Sequence, residues 1–442
     1  MPKAYYHSYE RKGRITECSS RRRYRNVGDG EMIYWLWLHC ALGAGGNKTN
    51  EIISCFSSAK GLYEAGDEER RASFLFTDNQ LSRLKKTTLD DANKLLKQCK
   101  IEGIGIISLA DKEYPECLRN ISKPPYVLFY KGKLPDFDGI PTLSIVGTRK
   151  VSDYGYKCAY SLSGRLSQGG FLIVSGGAMG SDTAAHLGAL LTGNKTVAVL
   201  PCGFNSNYLA TNKKLRSDIL LLGGCLISEF SPDENVRKSH FHIRNRLISG
   251  LSSGVIVTEA PLKSGALITA AHATEQNRDV FVIFTEDDNE NFEGCRALFK
   301  DGAKQVKLIT DVFSEYIYKF NDKISIEMAM AKPLPSYKTY DFGNEKPAEI
   351  KKKTYKKAPF ILKETVEPEN KKTEKNEINK KILTQPLSKN TKMIYNQLDK
   401  QIFSCDDLLS SEVNSVMALA AVGELELYGL IEAIPGGRYK LL

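Results

Sequence analysis

Four short stretches carry residues whose types and spacing suit the binding of a polyanion. In Gly147-Thr148-Arg149 a glycine permits a sharp turn, the threonine can donate a hydrogen bond, and the arginine offers a planar five-donor fork for phosphate. The plainer alternative is a surface arginine after a turn. Ser175-Gly176-Gly177-Ala178-Met179-Gly180-Ser181-Asp182 is built of small residues that let a ligand approach the backbone. It matches neither the dinucleotide fingerprint nor the Walker loop. Asp182 and His186 stand four apart, the spacing of a helix-stabilising pair or of a proton-transfer pair. The third stretch runs from Pro201 through Phe204 and Tyr208 to Lys213, Lys214 and Arg216. Rings beside cations suit single-stranded nucleic acid, because bases stack and cations follow phosphates. The alternative is a solvated loop. The fourth pairs Phe241-His-Ile-Arg244-Asn245-Arg246 with Ser264-Gly265-Ala-Leu-Ile-Thr269-Ala270. Arg244 and Arg246 are two apart and cannot share a helix face. One is expected to face a cleft, and the other to pair with Glu229 or Glu259. Ser264-Gly265 opens a helix and offers N–H groups to an anion.

The elements that must position these stretches are legible as periodicities. Continuous apolar runs recur at Leu143–Gly147, Phe171–Ser175, Thr196–Leu200, Cys225–Glu229, Gly254–Thr258 and Val280–Phe284. Segments of helical spacing, such as Ala184–Leu191 and Ala266–Glu275, lie between them. Buried strands alternating with helices predict a doubly wound, Rossmann-like parallel α/β sheet over residues 138–330. In such a sheet ligands bind at the carboxyl ends of strands, where all four stretches fall. Before it, residues 29–137 read as a small helical domain. A Gly-rich turn, Leu42 to Lys48, joins two of its helices in the manner of a helix-hairpin-helix or sterile-alpha-motif unit. Such a turn either contacts a phosphate or only joins packed helices. Residues 331–390 are rich in Lys, Glu, Pro and Asn and read as a disordered linker. Residues 391–442 suggest three helices and a hairpin, a winged-helix-like unit.

The 442 residues carry 62 Lys and Arg against 52 Asp and Glu, a net charge of +10. The excess is confined to two segments. Residues 1–28, read as a flexible basic arm, carry eight basic and two acidic side chains, and 331–390 carry fifteen and eight. Residues 29–330 balance, and 391–442 are net acidic. Binding specificity is therefore expected from a few placed cations in one cleft, with the tails adding salt-sensitive attraction. No apolar run reaches 18 residues, and the basic start lacks a signal-peptide core, so the chain is expected in the cytoplasm, away from membranes. The ten cysteines include no C-x-x-C pair, and of His240, His242 and His272 the first two lack a Cys or carboxylate at ligand spacing, so neither a metal nor another cofactor is expected.

Taken in order, these stretches resemble the DNA-processing protein A (DprA/Smf) family. The resemblance begins at Asp111-x-x-Tyr114-Pro115-x-x-Leu118, Pro124-Pro125 and Leu128-x-Tyr130-x-Gly132. It continues through Val146-Gly-Thr-Arg149, Tyr154-Gly155, Ser175-Gly-Gly-Ala-x-Gly180-x-Asp182, Ala185-His186, Ser228-Glu229, Arg244-Asn-Arg246, Ser264-Gly-x-Leu-Ile-Thr-Ala270 and Gly302-Ala303. It implies a non-enzymatic protein that binds and protects single-stranded DNA, loads a RecA-type recombinase during natural transformation, and acts as a homodimer. It places Gly147, Thr148 and Arg149 in the DNA pocket. Ser175, Gly176, Lys213, Lys214, Arg244, Ser264 and Gly265 are added from their chemistry, with Phe204 and Tyr208 as base-stacking candidates. Two departures stand out: Leu209 where the family usually has proline, and an acidic loop at 285–293, expected to point away from the cleft. The rival reading is a Rossmann-like nucleotide hydrolase of the phosphoribohydrolase type, although its Pro-Gly-Gly-x-Gly-Thr stretch is absent. A duplex-binding regulator acting through 391–442 is disfavoured by the acidity of that segment.

Overall fold

A computed structural model describes residues 28–284 apart from Asn47, residues 289–341 and 388–398, and parts of 401–441. Six helices come first: α1 (Asp29–Leu42), α2 (Thr49–Phe56), α3 (Ala59–Glu64), α4 (Asp67–Ala72), α5 (Asp78–Lys86) and α6 (Leu89–Ile101). Capping boxes at Thr77 and Thr88 start α5 and α6. Two strands, β1 (Gly105–Ser108) and β2 (Val127–Gly132), flank the short α7 (Glu116–Arg119). The alternating region follows as β3 (Thr142–Val146), α8 (Asp153–Gln168), β4 (Leu172–Ser175), α9 (Ser181–Leu191), β5 (Thr196–Leu200), α10 (Lys213–Leu221), β6 (Cys225–Ser228), α11 (Lys238–Gly250), β7 (Gly254–Val257), α12 (Ala266–Glu275) and β8 (Asp279–Val282). It closes with α13 (Glu293–Lys300), β9 (Lys304–Gln305), α14 (Ile309–Tyr316) and α15 (Ile326–Met330).

Among the described residues, nine strands form one sheet in the order β1-β2-β6-β5-β4-β3-β7-β8-β9. From β6 to β9 every pairing is parallel, while β1 and β2 pair antiparallel at one edge. The expected doubly wound sheet is therefore present. Alternation of side chains builds two cores from the same strands. Ile145, Ile173 and Ala198 point toward α8, α9 and α10, whereas Val146, Val174, Val197 and Val199 point toward α11 and α12. Full burial of each such Val or Ile is worth about 1.5–3 kcal/mol, which fixes the register.

Two boundaries differ from the sequence reading. The helical domain expected over 29–137 contributes β1 and β2 to the sheet. The physical reason is β2 itself: Val127 and Phe129 complete the core of the helices while Leu128 enters the sheet core. The first residues of the stretch expected as a disordered linker (331–390) are packed instead, because Leu334, Tyr337 and Tyr340 lie on the sheet body and Tyr160 Oη donates to Pro335 O at 2.5 Å. Residues 1–27 of the expected arm (1–28), 342–387 of the expected linker (331–390) and 285–288 of the acidic loop lie outside the described residues. Of that loop, Phe292 is buried in the sheet core.

The C-terminal segment has its own apolar core. Helix α16 (Lys389–Gln397) precedes β10 (Ile402–Ser404), β11 (Ile431–Ile434) and β12 (Arg438–Leu441), which form a sheet in the order β10-β12-β11. The expected hairpin is the β11–β12 pair. Where a second helix is expected after Ser404, the described residues Asp406–Leu408 make a single 3-10 turn.

Candidate functional site

The connections from β3 and β7 leave toward opposite faces, so the topological switch point lies between their carboxyl ends. Protein groups fill it. The buried Glu259 accepts from Ser152 N–H at 3.1 Å and from Ser152 Oγ–H at 2.5 Å, and its backbone oxygen accepts from Thr148 N–H at 2.8 Å.

Arg149 leaves the turn after β3 and is exposed. Its guanidinium carbon lies 4.6 Å from the centroid of the Phe241 ring, near the start of α11. Phe241 meets Tyr208 edge to face, with centroids 5.7 Å apart at 75°. Lys238, three residues before Phe241 on α11, is exposed and shares its helix face. Arg149, Phe241 and Tyr208 thus form one surface cluster, with Lys238 on the same face of α11. Such a cluster offers π-faces for bases and charges for phosphates.

Beneath it lies a buried layer. Ser175 Oγ donates to Ile145 O at 2.6 Å. Arg244 is only 5% exposed and donates through Nη1 to Val199 O at 3.0 Å. Burial pushes its guanidinium down, and the Asp182 carboxylate opposes that shift. Burial likewise pushes the Asp182 carboxyl up, against the pull of Arg244. A Cβ on Gly176 would sit 1.7 Å from Arg244 Nη1, so the absence of a side chain at 176 is what lets the guanidinium lie under the loop. Asn212 ties the same loop to the Tyr208 segment, donating to Thr183 Oγ1 at 2.9 Å and to Gly177 O at 3.4 Å.

The residues singled out from sequence therefore divide. Gly147, Thr148, Arg149 and Tyr208 reach the surface cluster or its immediate support, with Ser175, Gly176 and Arg244 directly below. Arg244, expected as a phosphate contact, is buried beneath the loop. Lys213 is exposed at the start of α10, whereas Lys214 is engaged by Asp218 at 2.7 Å and lies 5.5 Å from the Tyr340 ring centroid. Phe204 is half-buried between the sheet core and the helical core, with Lys131 Nζ 5.3 Å from its ring centroid, so it packs rather than presents a free face. Ser264 and Gly265 stand at the start of α12, and Ser264 lines a separate cleft.

Arg246 is the internally paired arginine, as one member of the pair is expected to be, holding Glu229 at 2.5 Å. Asp182 and His186 do not act as a couple: Asp182 faces Arg244 and the Ala178 N–H, and His186 Nδ1 pairs with Thr196 Oγ1 at 2.8 Å. The Gly-rich turn after α1 turns inward, with Gly45 N–H donating to Glu229 Oε1 at 2.8 Å. Its role is to dock the helices. Phe241 opens the fourth stretch read from the sequence but was not named there as a stacking residue, and Lys238 was not named at all. The available signal is their i, i+3 spacing at the start of α11, next to the arginine motif.

Residues 105–317 match the family described as DNA recombination-mediator protein A. The DNA processing protein DprA of Streptococcus pneumoniae is 42% identical over 209 residues, which are 47% of this chain and 73% of that protein. Protein Smf of Borreliella burgdorferi is 36% identical over 219 residues, 50% of this chain and 68% of the relative. The X-ray structure of DNA processing protein A from Streptococcus pneumoniae superposes with a TM-score of 0.56 at 31% identity, covering 66% of this chain and 98% of that one.

Proposed function

The chain belongs to the DNA recombination-mediator protein A family, the DprA/Smf proteins, and from that premise we propose that it binds single-stranded DNA at the Arg149–Phe241–Tyr208 cluster. Bases stack on Phe241 and Tyr208, and Arg149 and Lys238 follow the backbone phosphates. The bound strand is protected and handed to a RecA-type recombinase during DNA uptake, and the protein works as a homodimer without chemical catalysis. The observation that carries this reading is the Arg149 guanidinium standing over the Phe241 ring beside Tyr208. The burial of Asp182 and His186, each engaged elsewhere, supports binding rather than hydrolysis. No helix of the described residues is long and apolar enough to cross a membrane.

Charge reversal at Arg149 tests the proposal. Arg149→Glu is expected to weaken oligo-dT binding by about tenfold or more and to lower the log–log salt slope by about one. Wild-type affinity and an unchanged slope would sink the pocket.

A further inference from the structure

A second cleft, of about 700 Å³, opens on the other side of α11, between that helix and α12. Phe241 belongs to the surface cluster already described, while its neighbour His242 lines this second space. The lining divides into two parts. Ile243, Leu267 and Ile268 supply an apolar surface, extended by Leu262, which is 58% exposed. Arg246, Lys123 and Lys263 supply cations, and Ser264 with Gly265 forms the amino end of the ten-residue α12. That end carries the positive pole of the helix dipole. Arg246 is 6% exposed and gives Nη2 to Glu229, yet its Nε and Nη1 have no hydrogen-bond partner among the described residues. A buried guanidinium with two unused donors is costly unless something polar answers it. Glu229 already balances its charge, so the net positive balance of the cleft comes from Lys123 and Lys263 against Glu275.

We infer that this cleft is a second site, for a nucleoside monophosphate unit: its phosphate lies toward Arg246, Lys263 and the start of α12, and its base lies on the Ile243–Leu267–Ile268 surface. The unit is either a free nucleotide or one nucleotide of the bound strand. Only the second source rests on the single-strand reading given above.

The test uses the full chain and equilibrium dialysis with thymidine 5′-monophosphate. Binding is expected, with inorganic phosphate and unphosphorylated thymidine each competing at least tenfold less well, since each engages half of the site. Lys263→Glu and Lys123→Glu change exposed residues and leave the Arg246–Glu229 pair in place. Each is expected to weaken the nucleotide by about tenfold, because reversing a charge near a phosphate turns attraction into repulsion. Arg149→Glu is expected to leave nucleotide binding within twofold. Competition by oligo-dT assigns the unit to the strand, and lack of competition assigns it to a free nucleotide. Four results would overturn the site: no binding at millimolar nucleotide, indifference to both lysine reversals, equal competition by inorganic phosphate, or capture of an acidic peptide in place of the nucleotide. If Arg149→Glu spares oligo-dT binding while the lysine variants still lose the nucleotide, the single-strand pocket fails and the second site stands.

Discussion

Replacing Glu229 with glutamine removes one charge and almost no volume, yet it should undock the helical domain. The carboxylate is 1% exposed and accepts from both sides: Oε2 from Arg246 Nη2 at 2.5 Å and Oε1 from Gly45 N–H at 2.8 Å. Burial pushes the carboxyl up, and Arg246 opposes that shift. Glutamine keeps one acceptor oxygen. Whichever partner takes it, the other donor faces an amide NH2, so one bond becomes a donor–donor contact. The Arg246 charge is also left without its counter-ion. Breaking a buried pair on one side costs about 3–5 kcal/mol. Removing both charges with Arg246→Met and Glu229→Leu should recover much of that, short of about 1–3 kcal/mol for the unmatched Gly45 N–H. Both tryptophans, Trp35 and Trp37, lie in α1, so their fluorescence reports this docking directly during a urea titration. A Glu229→Gln loss below about 1 kcal/mol would refute the argument, since it would class the pair with surface ion pairs.

Three further outcomes follow from the geometry. Burial holds His39 down at about 4 and His186 at about 3, so the fold keeps both neutral while the unfolded chain protonates near 6.5. Stability should fall as pH drops from about 6.5 toward 4, by about 2 kcal/mol per histidine between pH 7 and 5. Urea midpoints at the two pH values check this, and His39→Gln should shrink the difference. Phe241→Ala should weaken oligo-dT by about 1–3 kcal/mol, the value of one stacked base, while Phe241→Tyr should retain binding in the same fluorescence-anisotropy assay. A Cβ at Gly203 would lie 2.0 Å from Ser231 O and 2.2 Å from Pro232 O, both backbone atoms. Gly203→Ala should therefore cost about 1–3 kcal/mol and displace the Tyr208 loop, seen as paired losses in unfolding free energy and oligo-dT affinity.

Periodicity alone determined the parallel sheet, because strands buried on both faces must read as continuous apolar runs and the helices between them must repeat near 3.6. Composition placed the excess charge outside the body, and that too is a property of the chain independent of its folding. Motif order was enough to point to the family. What the sequence left open was always a matter of direction. Spacing could say that Arg244 and Arg246 face apart, but only packing decided that one lies under Gly176 beside Asp182 and the other holds Glu229. Phe204 and Tyr208 are equivalent in a string of letters; the docked helices claim the first, and Phe241 meets the second. The Gly-rich turn after α1 suited a phosphate equally well until Glu229 reached it from the end of β6. Ser264 and Gly265 were grouped with Arg149 because all stand at strand ends, and the sheet separates them by sending α11 between their clefts. Local patterns fix which elements form, since their energies are local. Which side chains share a site depends on contacts between residues tens to hundreds of positions apart, and those exist only once the chain has closed on itself.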